Sequence, residues 1–107
     1  MSSKRHEITS VEQHEEHEGE TLSTTDHDVI QRWAEERDGR PVAVEGTERA
    51  GSVGVLRIDF RAPEDRLEPV SWDDWFKVFD ERGLEFIYQE RRSDGQQSTF
   101  FRLVAPD

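Results

Sequence analysis

All ten aromatic residues of this chain lie after Ser23, the first of them Trp33. A small domain needs aromatic and aliphatic burial to offset chain entropy, so the core is expected within residues 24–107. Residues 1–23 hold only Met1, Ile8, Val11 and Leu22 as apolar members, and these follow no sustained period. With six acids and two cations there, the segment reads as a disordered acidic tail, dispensable for folding. A short helix through Val11–Glu18 is the alternative, and alone it would be marginal. Residues 24–107 read as a single compact domain.

Two helices are predicted in that domain. Thr25 and Asp28 mark the start of the first, and Val29, Ile30, Trp33 and Ala34 fall at helical spacing. Gly39 and Pro41 stop it, giving about 26–38. The second has the sharper start, with Ser71 as cap, Asp74 three residues on, and Val70 placed to staple onto Trp75. Trp72, Trp75, Phe76 and Phe79 line one side, and Gly83 ends it.

Alternating runs supply the strands. Val42 and Val44 form a short one, and Leu56, Ile58 and Phe60 alternate with Arg57 and Asp59. Gly46 to Gly54 reads as a loop, and Pro63 to Pro69 as a polar connection. Leu84, Phe86 and Tyr88 precede the turn Ser93-Asp94-Gly95, after which Thr99 to Val104 form the last strand. The order is αββαββ, each half a Trp-bearing helix, a glycine and a hairpin. The fold class predicted is α+β, two layers, with an antiparallel sheet carrying both helices on one face.

Thr25-Asp26-His27-Asp28 through Trp33-Ala34-Glu35, Gly54 through Phe60, Ser71-Trp72-Asp73-Asp74-Trp75-Phe76 and Phe86-Ile87-Tyr88-Gln89 occur in that order. Over residues 24–104 this resembles a group of small uncharacterised bacterial proteins, some labelled 1,4-alpha-glucan branching enzyme. The resemblance implies the same compact domain and carries over no catalytic residue. Glucan transfer needs two placed carboxylates across a sugar-sized cleft, which calls for a larger scaffold than 107 residues.

Charge and composition narrow the function classes. The chain carries 25 Asp+Glu against 14 Lys+Arg, a net charge of -11, with a mean hydropathy of -0.94. That balance argues against a binder of the phosphate backbone. Zero cysteines exclude disulfides, thiolate chemistry and Cys-based metal sites. A polar Met1–Ser10 and the lack of any long apolar stretch point to a cytoplasmic chain with no membrane partner.

Four histidines and several acids invite chemistry. His14-Glu15-Glu16-His17 echoes a zinc motif, but its histidines stand three apart rather than four, so it reads as a solvated acidic run. His27 lies between Asp26 and Asp28 with no serine or cysteine obviously paired to it, and reads as a surface residue. Asp73 and Asp74 suit a helix N-terminus. Trp33, Trp72 and Trp75 suit core packing rather than sugar stacking. No cofactor or metal is expected.

On the far face of the sheet, Ile87, Phe100 and Val104 are expected to form an apolar cluster beside Arg57 and Arg102, a candidate interaction surface. The resulting expectation is a non-enzymatic acidic module that binds a protein partner or a second copy of itself through the open sheet. A nucleic-acid role, through Arg82, Arg91, Arg92 and Arg102 or through acidic mimicry, is the first alternative. A small enzyme using His27, Asp73 or Asp74 is the second.

Overall fold

The computed structural model describes residues 5–48, 54–60 and 66–105. The expected loops Gly46–Gly54 and Pro63–Pro69, and the two chain ends, thus lie partly outside the described residues. Within them are two helices and seven strands: β1 His6–Glu7, β2 Leu22–Thr24, α1 His27–Glu35, β3 Arg40–Val44, β4 Leu56–Asp59, β5 Leu67–Pro69, α2 Trp72–Glu81, β6 Glu85–Tyr88 and β7 Phe101–Val104. The class is α+β, as predicted. Its order differs from αββαββ, because β1 and β2 precede α1 and β5 follows β4.

The strands form two sheets instead of one, ordered β1-β2-β6-β7 and β4-β3-β5. The β1–β2 pair is parallel and the other pairs are antiparallel. The chain correspondingly divides into two compact units, residues 1–33 with 84–107, and residues 34–83. Where one compact domain from residue 24 is expected, the first unit includes residues before 24 and a second unit stands beside it in the sequence. Each predicted hairpin found its own sheet, so the two helices do not share one sheet face.

In the first unit, β2 sits between β1 and β6, with Leu22 opposite Tyr88 and Thr24 opposite Phe86. Alternation then puts His6, Leu22, Tyr88 and Phe101 on one face, and Ser23, Ile87 and Arg102 on the other. Trp33 of α1 meets the first face edge-on, its ring 5.3 Å from Phe86, 6.0 Å from Tyr88 and 6.1 Å from Phe101. Its Nε1 donates to the Gln89 carbonyl at 2.8 Å, which satisfies the buried indole. Asp26 caps α1 through the Val29 N–H at 3.0 Å, one residue beyond the expected Thr25.

The segment expected to be a disordered tail is therefore part of this unit. Ile8 and Leu22 are fully buried, and the Thr24 hydroxyl donates to the Ile8 carbonyl at 2.6 Å while accepting the Asp26 N–H at 3.0 Å. Two apolar residues suffice here because β6, far along the chain, supplies the partner of Leu22, and the Ile8 N–H bonds the Ser23 carbonyl of β2 at 2.7 Å. No local period can report that. Replacing Leu22 with alanine is expected to destabilise the protein by about 2–5 kcal/mol. Deleting residues 1–23 should lower the melting temperature by far more than the degree or two of a loose terminus. Urea and thermal unfolding of both variants check this, and an unchanged midpoint would mean the segment contributes nothing.

In the second unit, β3 is the central strand between β4 and β5. Helix α2 begins as predicted, with Ser71 Oγ accepting the Asp74 N–H at 3.0 Å, and buries Trp75, Phe76, Val78 and Phe79. Trp75 is completely buried and donates from Nε1 to the Arg57 carbonyl at 3.0 Å. Gly83, at φ 63°, follows the C-cap Arg82 in the left-handed conformation that glycine adopts without strain.

The end of α1 departs from expectation. The Gly39 N–H bonds the Ala34 carbonyl at 2.7 Å and the Asp38 N–H bonds the Glu35 carbonyl at 3.1 Å, the two bonds of a Schellman motif. The left-handed residue is Asp38, at φ 58°, not Gly39. Gly39 is needed for space, since a Cβ there would lie 2.8 Å from both Ile58 Cγ2 and Phe60 Cε1. Asp38→Gly should accordingly stabilise the protein by up to about 1 kcal/mol, whereas Gly39→Ala should destabilise it by about 1–3 kcal/mol. Opposite shifts in urea midpoint are the expected outcome, and shifts of the same sign would refute this division of roles.

Candidate functional site

The five residues of the expected interaction surface are divided between the two units. Arg57 lies on β4 in the second unit, while Ile87, Phe100, Arg102 and Val104 belong to the first. Ile87 is 1% exposed, on the inner strand β6 between β2 and β7. What stays open is the β7 side: Phe100 is 45% exposed, Arg102 is exposed and Val104 is half-buried. Strand β7 ends the order of its sheet, with β6 as its strand partner among the described residues.

Three of the four arginines of the nucleic-acid alternative are engaged within the chain, Arg102 being exposed on β7. Arg82 Nη1 donates to the Gly54 carbonyl at 3.0 Å, and Arg92 pairs bidentately with Asp94 in the β6–β7 turn. Arg91 donates from Nε to Glu15 and from Nη1 to Glu18. His27 is half-buried at the first position of α1, and Asp73 and Asp74 are exposed in the first turn of α2. His27 belongs to one unit and the two aspartates to the other.

The densest polar chemistry lies where residues 14–20 fold against residues 89–95. The Gly19 N–H bonds the Arg91 carbonyl at 3.0 Å, and Gln89 Nε2 donates to the Gly19 carbonyl at 3.3 Å. His14 Nδ1 donates to Glu90 Oε2 at 2.9 Å, and the Glu15 N–H donates to Glu90 Oε1 at 3.0 Å. The Glu15 side chain is 4% exposed, and Arg91 is the cation that compensates it. Glu15 in turn raises the Arg91 pKa, with Glu18 and Glu90 adding to it. These pairs are invisible as a motif, since the partners stand some seventy residues apart.

Asp94 titrates below its ordinary value of 3.8, held down first by the Arg92 side chain and then by the Gln96 N–H. A depressed carboxylate contributes stability above its unfolded pKa and loses it as pH falls through the folded one. The Arg92–Asp94 pair is therefore present at neutral pH and is lost as the pH falls below the ordinary carboxylate value.

His14 and His17, whose run echoes a zinc motif in the sequence, have separate partners. His14 is committed to Glu90, and His17 Nδ1 donates to the Glu18 carbonyl at 3.2 Å. Instead His6, Glu16 and Glu20 present one ligand atom each, all within 4.8 Å of one another. His6 Nδ1 lies 3.3 Å from Glu20 Oε2. The Glu16 N–H donates to Glu20 Oε1 at 2.7 Å, which holds Glu20 below its ordinary range against the opposing effect of desolvation, with His6 and His17 assisting. His6 was the histidine that sequence spacing passed over, because strand register rather than proximity in sequence brings it to Glu20.

A scan against family models, a search of curated proteins and a search of solved structures each find no match to this chain.

Arg91→Ala should lower the urea midpoint clearly, because it strands the buried Glu15 carboxylate. Adding Glu15→Gln should restore part of the loss by removing that charge. A double-mutant cycle measures the coupling. Strictly additive effects would show that the pair does not hold residues 14–20 in place.

Proposed function

We propose that the chain is a non-enzymatic acidic interaction module whose first sheet is extended, across β7, by a second copy of the chain. The observation that supports this is the edge position of β7 beside the exposed Phe100. An edge strand is a template for a further strand unless it is blunted by charge, proline or a cover. Here β7 reads Phe101-Arg102-Leu103-Val104, with a single charge.

The register of the β6–β7 pair selects a geometry. The Gln89 N–H bonds the Phe100 carbonyl at 3.3 Å, so alternation directs the Leu103 N–H and carbonyl away from β6. Two antiparallel β7 strands centred on Leu103 would exchange those groups in an isologous contact. That centring sets Arg102 opposite Val104 of the second copy, and so avoids arginine facing arginine. Arg91, Arg92 and Arg102 also make this hairpin the least acidic part of a chain of net charge -11.

Sedimentation velocity of the intact chain should show a dimer. Phe100→Asp and Leu103→Pro should shift it to monomer, the proline by removing the N–H donated across the contact. Added salt should strengthen the dimer by screening the repulsion between two acidic chains. A wild type that stays monomeric at high salt overturns the proposal, as does a dimer indifferent to both substitutions.

A further inference from the structure

We propose that His6, Glu16 and Glu20 form a binding site for one borderline-soft divalent cation of the Zn²⁺ type. The argument starts from ligand chemistry. One imidazole nitrogen with two carboxylates suits zinc and its first-row neighbours, whereas Mg²⁺ and Ca²⁺ favour all-oxygen shells. Zinc held at about 2.0–2.2 Å by tetrahedral ligands sets those ligand atoms roughly 3.4 Å apart. His6 Nδ1 and Glu20 Oε2 already stand at 3.3 Å.

The imidazole nitrogen separates this group from an ordinary acidic cluster. His6 Nδ1 is inaccessible to solvent and makes no aligned hydrogen bond, although a carboxylate oxygen faces it. That nitrogen and the Glu20 oxygen, 3.3 Å apart, are disposed as two ligands converging on a common point, which a proton on the imidazole otherwise fills. The second oxygen of Glu20 is occupied by the Glu16 N–H, which orients the carboxylate as outer-sphere bonds orient metal ligands.

The scaffold of the three donors is fixed from two directions. His6 is in register with Leu22 on the β1–β2 pair, two residues beyond Glu20. The turn carrying Glu16 and Glu20 is tied through Gly19 to Gln89 and Arg91. Glu16 completes the group, its ligand atom within 4.8 Å of the other two, and it is the exposed member of the three. Its side opens the remaining position to water, as in zinc sites with three protein ligands.

The test is calorimetric titration of the intact chain with ZnCl₂, and with MgCl₂ as the comparison. One equivalent of Zn²⁺ should bind, raise the melting temperature and be displaced by a chelator, while Mg²⁺ should produce neither heat nor shift. His6→Gln and Glu20→Gln should each weaken Zn²⁺ binding by about tenfold or more, and His14→Gln should leave it unchanged. Glu20→Gln keeps an oxygen for the Glu16 N–H, so it remains informative should the His6 variant fail to fold, which far-UV circular dichroism reports. No Zn²⁺ binding would reduce the group to a histidine–carboxylate ion pair and overturn the proposal. Equal response to Mg²⁺, or an affinity untouched by Glu20→Gln, would assign the ion to the diffuse acidic surface and overturn it as well.

Discussion

The pairing of β2 with β6 is the contact on which the first unit depends. It joins Leu22–Thr24 to Phe86–Tyr88, and by doing so brings segments some sixty residues apart into one sheet. Neither strand is long enough to persist alone, and a two-stranded pair is marginal in water. The set becomes stable because β1 and β7 extend it and Trp33 covers the face bearing Phe86, Tyr88 and Phe101. The Thr24 hydroxyl ties β1 to the start of α1, so strand, sheet edge and helix cap share one side chain.

The polar chemistry of that unit follows from the same pairing. Once Leu22 is seated, the residues before it must pass over the Glu90–Gly95 turn. There Glu15 and Glu18 meet Arg91, and His14 meets Glu90. Segment 1–23 is net negative, and so is the rest of the chain, so long-range repulsion alone would keep them apart. Salt screens repulsion beyond about 8 Å, whereas a desolvated carboxylate against a guanidinium is a contact-distance interaction. Burial of Ile8 and Leu22, together with these local pairs, outweighs the screened repulsion.

The second unit is more local in origin. Ser71 caps α2, Gly83 closes it, and the indole of Trp75 reaches the β4 backbone at Arg57. Aromatic contacts along the helix, Trp72 with Phe76 at 5.2 Å and Trp75 with Phe79 at 5.5 Å, give its apolar side continuous packing. The bare Cα of Gly39 admits Ile58 and Phe60, so the turn after α1 packs closely on the strand region that follows.

What the sequence by itself determined is whatever is encoded within a few residues. Both helices, the Ser71 cap, the stop at Gly83, the Asp94-Gly95 hairpin and the burial of Trp33 and Trp75 are short-range consequences of spacing and backbone chemistry. Tertiary structure decided the rest. Strands β1, β2 and β5 have two or three residues each, too few for any period, and exist only through partners elsewhere. The division into two sheets, the burial of Ile87 and the assignment of Arg57 and Phe100 to different units depend on which strand pairs with which, and alternation along a strand is silent on that. The meeting of His6 with Glu16 and Glu20 is likewise a matter of strand register. Hydrogen-bonded pairing acts across any length of chain, whereas propensity and periodicity act only along it.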